Sequence, residues 1–274
     1  MNRLRFVMIV CLTSLLVSCA TTGPGGKKSL IFISTDQELS LGQEFDKQIR
    51  AENKVLADSV WQNYFNEIGQ TIVKVCDRKD IQYHFTVIES EQVNAFATPG
   101  GYVYIYTGLL DRINNEAELA AVTAHEISHV VARHSVKRLQ SAVGIGLLEQ
   151  IAFGGNAGAT RDVVNLGVGV ALQGYSRANE FEADEYGIVY MAAAGYNPQG
   201  AIELFQMLAS LGDGGQKDIF ERLSASHPDT QARIDRANQL ISSKYLEFTK
   251  RPRNEARISK LKQRLPKPAP EKKP

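Results

Sequence analysis

Hydrophobic positions along the chain recur at two spacings that divide it into elements. Val60, Trp61, Tyr64, Phe65, Ile68, Ile72 and Val75 follow the three-and-four spacing of an amphipathic helix, predicting one from about Leu56 to Cys76. Ahead of it, Thr35-Asp36-Gln37-Glu38 reads as a capping box that opens a helix to about Glu52. Residues 81–88 alternate instead, with Tyr83, Phe85 and Val87 on one face of a strand and His84 on the other. Residues 93–107 (VNAFATPGGYVYIYT) predict a β-hairpin turning at Pro99-Gly100-Gly101. From about Asn115 the pattern is almost wholly helical. It begins with a segment apolar on nearly every side, which places that helix at the centre of a domain. Two apolar, Gly-containing stretches, 142–153 and 163–174, are each too short to cross a bilayer, and read either as a helical hairpin on the core or as a lid.

The two ends differ from this middle. Arg3 and Arg5 precede an apolar run from Phe6 to Val17, and small Ser18 stands directly before Cys19, the parts of a secretory signal over residues 1–18. Leu16-Val17-Ser18-Cys19 also resembles the lipobox of bacterial lipoproteins, which implies cleavage before Cys19 and its lipidation. Ala20 in place of an Asp after that cysteine favours the outer membrane, on its periplasmic side. Residues 19–34 then read as a lipidated cysteine and a flexible, Gly-rich tether, and 35–245 as the folded domain. From Lys244 to Pro274 there are 11 Lys/Arg against 3 Asp/Glu. Residues 246–274 therefore predict a basic, Pro-containing solvated tail, with one helix at most around 254–264.

Composition narrows the function classes. The chain of 274 residues is 43% hydrophobic and 22% charged, ordinary for a globular protein with a sizeable core. Lys+Arg 31 against Asp+Glu 30 leave a net charge of +1, so no bulk field recruits nucleic acid. With Cys11 cleaved away and Cys19 acylated, Cys76 is the remaining thiol, read as a small buried hydrophobe.

Chemistry concentrates in His125-Glu126-Ile127-Ser128-His129, inside the central helix that Asn115 and Glu118 cap. Two histidines four residues apart sit about 40° from each other around a helix, one turn apart, so both imidazoles meet one tetrahedral zinc. Glu126 is turned about 100° from His125, poorly aimed to ligate and suited to take a proton from water at the metal. His134 lies about 180° from His125 and so faces away. A third ligand must come from another element. Ser176 opens a helix carrying Glu180, Glu182 and Asp184. Glu180 and Asp184 share a face, so Glu180 ligates while Asp184 steadies a ligand histidine, although spacing alone leaves Glu182 open.

HEISHVVARH, followed some fifty residues later by Glu180 to Asp184, with NAFATPGG upstream and SHPDTQAR downstream, resembles metallopeptidase family 48 over most of residues 35–240. The features lie nearest to the family's periplasmic lipoprotein zinc peptidases. The resemblance implies an α+β, predominantly helical, zincin-like (gluzincin) domain with a small sheet or hairpin beside the active-site helix. It implies one zinc on His125, His129 and Glu180, Glu126 as catalytic base, and Asp184 supporting a ligand. It gives Asn94, Ala95 and Phe96 a place at the cleft, where an extended substrate adds as a strand. His227, in the SHP motif with Arg233 six residues on, becomes either an oxyanion stabiliser or a latent zinc ligand. The substrates expected are extended or misfolded envelope proteins, with an envelope protease or assembly machine as partner. A chaperone-like assembly factor using the same groove is the rival.

Overall fold

The computed structural model describes residues 20–143, 164–170, 173–213 and 230–267. The signal segment, Cys19, His227 and most of the stretch 142–153 lie outside the described residues.

The chain enters as a hairpin, β1 (Ala20–Thr22) antiparallel to β2 (Lys28–Leu30). The Gly-rich segment expected to be a flexible tether is a docked turn. Gly25 and Gly26 take φ of 61° and 77°, which only glycine adopts without strain. The Gly25 N–H donates to Asp77 at 2.8 Å, and Ile31 and Ile33 are buried just beyond. Helix α1 (Thr35–Glu52) carries the expected capping box one residue earlier. Ser34 accepts from the Gln37 N–H and donates its own to the Gln37 side chain. Helix α2 (Ser59–Val73) starts on Asp58, which accepts from Val60 and Trp61, and buries Trp61, Tyr64, Phe65, Ile68 and Ile72. Val60, at the helix's first turn, stays exposed.

Strands β3 (His84–Ile88), β4 (Ala95–Thr98) and β5 (Tyr102–Tyr106) form one sheet in the order β3-β5-β4. The hairpin β4–β5 is as the pattern predicts. The parallel pairing of β3 with β5, His84 opposite Tyr102 through Ile88 opposite Tyr106, puts β5 at the centre and leaves β4 on an edge. Helix α1 crosses the turn so closely that a Cβ at Gly42 would lie 2.3 Å from the Pro99 carbonyl oxygen. One sheet face (Phe85, Val87, Ala97, Val103, Ile105) joins the core around α2 and the central helix. The other face (Phe96, Tyr104, Tyr106) packs on Leu41, Phe45 and Ile49 of α1. Residues 164–170 are helical, and Val164, Val168 and Val170 complete this second core, so that part of the stretch 163–174 is core.

Further α-helices among the described residues are α3 (Thr107–Arg112), α4 (Glu116–Val131), α5 (His134–Val143), α6 (Arg177–Ala193), α7 (Gln199–Asp213), α8 (Thr230–Leu240) and α9 (Glu255–Lys262). Every residue of α4 is buried, under α2, α6, α7 and β4. Among the described residues no helix is long and apolar enough to cross a membrane. The architecture is the expected predominantly helical α+β domain with a small sheet.

The basic segment past residue 246 is not a solvated tail up to residue 267. Ile258 and Leu261 of α9 are buried, and the Trp61 indole N–H donates to the Leu261 carbonyl at 3.0 Å. Asn254 and Arg257 donate to the buried Glu116 carboxylate at 2.7 and 3.2 Å, and the Tyr64 hydroxyl donates to it as well. Positive charge that reads as solubilising thus meets the buried Glu116 and, on the domain's own surface, Glu67 and Asp58. Ile258→Ala is therefore expected to lower unfolding free energy by about 2–3 kcal/mol, as for a large-to-small core change. Urea denaturation checks this, and a solvated tail predicts no change.

Candidate metal centre

Among the described residues, helices α4 and α6 form the most extensive pairing of elements, and the site lies between them. Asn115 caps α4 by accepting from the Glu118 N–H at 2.9 Å, and Ser176 caps α6 by accepting from Asn179 at 3.3 Å. Glu180, Asp184 and Gly187 recur on one face of α6 at helical spacing. At Gly187 an added Cβ would lie 3.2 Å from the His125 backbone nitrogen, so the absent side chain lets α6 settle directly on the residue pair that matters.

His125 and His129 each turn Nε2 toward the same point, the two atoms 3.0 Å apart. Glu180 Oε2 lies 3.5 Å from His125 Nε2, and its Oε1 lies 3.5 Å from His129 Nε2. A tetrahedral zinc with bonds of about 2.0–2.1 Å spaces its ligand atoms roughly 3.3 Å apart, so this donor set fits one such ion. All three residues are buried. Burial pushes the His129 imidazole well below its ordinary pKa, leaving a neutral ring with a lone pair to give. Two converging imidazole nitrogens and a buried carboxylate together suit a divalent cation.

The groups around the trio hold it in place. Asp184 Oδ1 is 2.9 Å from His125 Nδ1, and both Asp184 oxygens accept from Arg233 of α8 at 2.7 Å. Burial is the largest single influence and would raise the Asp184 carboxyl, but the charge and hydrogen bonds of Arg233, together with the His125 contact, hold the group below its usual range. Arg233 also lies 3.4 Å from Glu180 and stacks over Phe205. In the sequence Arg233 is only a distance after a motif; its buried bidentate contact is a tertiary fact. Glu182 does not join the trio. Its Oε2 is 3.0 Å from His134 Nε2, and that bond holds its carboxyl at about 2.

His134 does not face away from the centre, and the reason is local. Extending α4 by about 100° per residue assumes an unbroken helix. The helix ends at Val131, and Arg133 takes φ 54°, which re-aims the chain as α5 begins. The His134 ring is fully buried, with Nδ1 2.8 Å from His129 Nδ1. Tyr175 lies stacked on His129 at 4.0 Å and shares a hydrogen bond with Ser135 at 2.7 Å. No sequence signal marks it, since it stands alone before a cap.

Glu126 is buried on α4 next to His125 and outside the trio. On β4, the Phe96 side chain turns to the far sheet face and stacks on Tyr104 at 4.8 Å, so it is a core residue rather than a cleft side chain. Asn94 accepts from the Tyr106 N–H at 3.0 Å. By that register Ala95 and Ala97 direct their backbone groups away from β5, and the Ala97 carbonyl accepts from Ser135 at 3.3 Å.

The model of peptidase family M48 matches residues 60–241. The chain is similar to the beta-barrel assembly-enhancing protease of Yersinia pestis, 31% identical over 224 residues that cover 76% of this chain and 45% of that protein. It is similar to the putative beta-barrel assembly-enhancing protease of Vibrio cholerae at 33% over 190 residues, 65% of this chain and 39% of that protein. Metalloprotease LoiP of Escherichia coli is 32% identical over 157 residues, 56% of this chain and 62% of that protein. The chain thus spans less than half the length of these two assembly-enhancing proteases.

Proposed function

The chain belongs to peptidase family M48, and on that premise we propose that it is a zinc-dependent endopeptidase acting on extended or misfolded envelope proteins. The observation that carries this reading is the convergence of His125, His129 and Glu180, with Glu126 next to His125 on the same buried helix. His125, His129 and Glu180 would hold one Zn²⁺, which supplies a Lewis acid that polarises a peptide carbonyl and acidifies water. Glu126 takes the proton from the attacking water and returns it to the leaving amine. Arg233 and Asp184 keep His125 oriented through that exchange. An extended substrate adds to β4, the strand at the sheet's edge, through the Ala95 backbone, which makes recognition depend on the substrate's exposed main chain more than on its sequence.

In the same reading Cys19 carries a lipid that tethers the domain to the outer membrane, facing the periplasm. The Leu16-Val17-Ser18-Cys19 pattern supports this, as do relatives named for assembly of β-barrels. Those names also favour a second reading, an assembly factor that uses the β4 edge to hold chains with little cleavage. The test is metal analysis of the mature chain together with digestion of an unfolded protein such as casein. One zinc per chain is expected, with cleavage lost on chelation and restored by zinc. A zinc-loaded chain that leaves casein intact overturns the endopeptidase reading.

A further inference from the structure

Each histidine of the trio points Nε2 at the centre, so each must place Nδ1 somewhere within a buried surrounding. A buried N–H without an acceptor costs on the order of 1–3 kcal/mol. His125 meets the Asp184 carboxylate directly. His129 meets another imidazole, His134, whose far nitrogen lies on Glu182, whose other oxygen lies 2.9 Å from Lys27 Nζ. We propose that His134, Glu182 and Lys27 form a positioning relay that sets the tautomer and tilt of His129, running from the N-terminal hairpin to the metal.

The proton positions follow from the two ends. With its Nε2 lone pair given to a cation, neutral His129 carries its proton on Nδ1 and donates it. His134 Nδ1, 2.8 Å away, is then the acceptor, which puts the His134 proton on Nε2. That N–H faces Glu182 Oε2 at 3.0 Å, and a carboxylate only accepts. Glu182 in turn accepts from the Lys27 ammonium. Every donor in the series has an acceptor. Reversing either imidazole sets two N–H groups or two lone pairs face to face, in a pocket too dry to repair the clash.

The ring is held on two further sides. Tyr175 lies flat on His129 and restricts its tilt. Arg133, whose φ of 54° brings His134 under His129, is fixed by its hydrogen bond to Ile33, just after the hairpin. Lys27 sits on the hairpin itself, near the Gly25 contact with Asp77, and is partly exposed. The hairpin thereby reaches the metal ligand through Lys27, Glu182 and His134. The proposal rests on the metal reading above, because without a cation at Nε2 the direction of the series is not fixed.

Long-range ¹H–¹⁵N NMR of the zinc-loaded mature chain reads the five histidines without any substitution. His134 is expected as the Nε2–H tautomer and His129 as the Nδ1–H tautomer; His134 protonated on Nδ1 overturns the relay. Zinc affinity by chelator competition, with the visible spectrum of the Co²⁺-loaded chain, supplies the second readout. His134→Leu is expected to weaken zinc binding about 10–100-fold and shift the Co²⁺ bands. His134→Asn, whose Oδ1 stands near the place of Nδ1, is expected to keep affinity within about threefold. Equal affinity in wild type and His134→Leu overturns the proposal. Equal loss in Leu and Asn variants also does, because packing alone then explains it. A wild-type chain that takes up no zinc overturns the metal reading and the relay with it.

Discussion

Glu126→Gln is expected to lower kcat/KM for an unfolded protein by about 10³ while zinc stays at one per chain. Glutamine keeps the volume of glutamate and its place on the buried helix, so neither α4 nor its contact with α6 is disturbed. It cannot accept a proton from water, and general-base removal costs roughly 10²–10⁴ in rate. Glu126 stands outside the donor trio, so metal content is expected to be unchanged. Removing one buried carboxylate also spares the domain a desolvation cost, and stability is expected to hold or rise. The contrast with Glu180→Ala is informative, because that change removes a ligand and loses zinc and cleavage together. Residual cleavage within about tenfold of wild type would exclude Glu126 as the base. Cells that carry the variant separate the two readings of biological role. If β-barrel assembly proceeds normally with cleavage abolished, the groove and not the hydrolysis carries the function.

What the sequence discloses and what it hides divide along physical lines. His125 and His129 are recognisable because their relation is set by one helix, whose geometry is the same in any fold. Glu180 and Asp184 share a face for the same reason, and Asn115 and Ser176 mark their helix starts by cap chemistry. The hairpin β4–β5 is legible from its turn, since Gly100 and Gly101 take φ of 79° and 89°. Its neighbour β3 is legible as a strand from its alternation, but its parallel register on β5 is not, because that pairing is a tertiary arrangement packed against α2 and α4. Arg233, Tyr175 and His134 come to the site from separate elements, and nothing in their spacing reports it. Composition misleads at both ends. The glycines near residue 25 serve a docked turn, and the basic charge after residue 250 finds carboxylates on the domain.

The second large effect is on stability. Glu38→Ala is expected to destabilise the chain by about 3–5 kcal/mol, the range for breaking a buried ion pair from one side. Glu38 is 1% exposed on α1 and accepts from both terminal nitrogens of Arg78, at 2.8 and 2.9 Å. Arg133 Nε lies 2.7 Å from Glu38 Oε2, and the Gly100 N–H donates to Oε1 at 3.2 Å. One buried carboxylate therefore sits between two buried guanidiniums, with the exposed Asp80 3.5 Å from Arg78 Nε, and ties α1 to the β4–β5 turn and to the end of α4. Arg78 also donates to the Val130 carbonyl, and Arg133 to Ile33. Alanine leaves two cations facing each other in a dry pocket, beside the one residue whose left-handed φ carries the chain from His129 to His134. For a domain of this size the loss corresponds to a fall in Tm of roughly 10 °C. Zinc affinity is expected to fall as well in the folded fraction, because Arg133 sets where His134 meets His129. Thermal denaturation with and without zinc measures both. A drop below about 1 kcal/mol would mean that water reaches the two arginines and that the triad is not a structural tie.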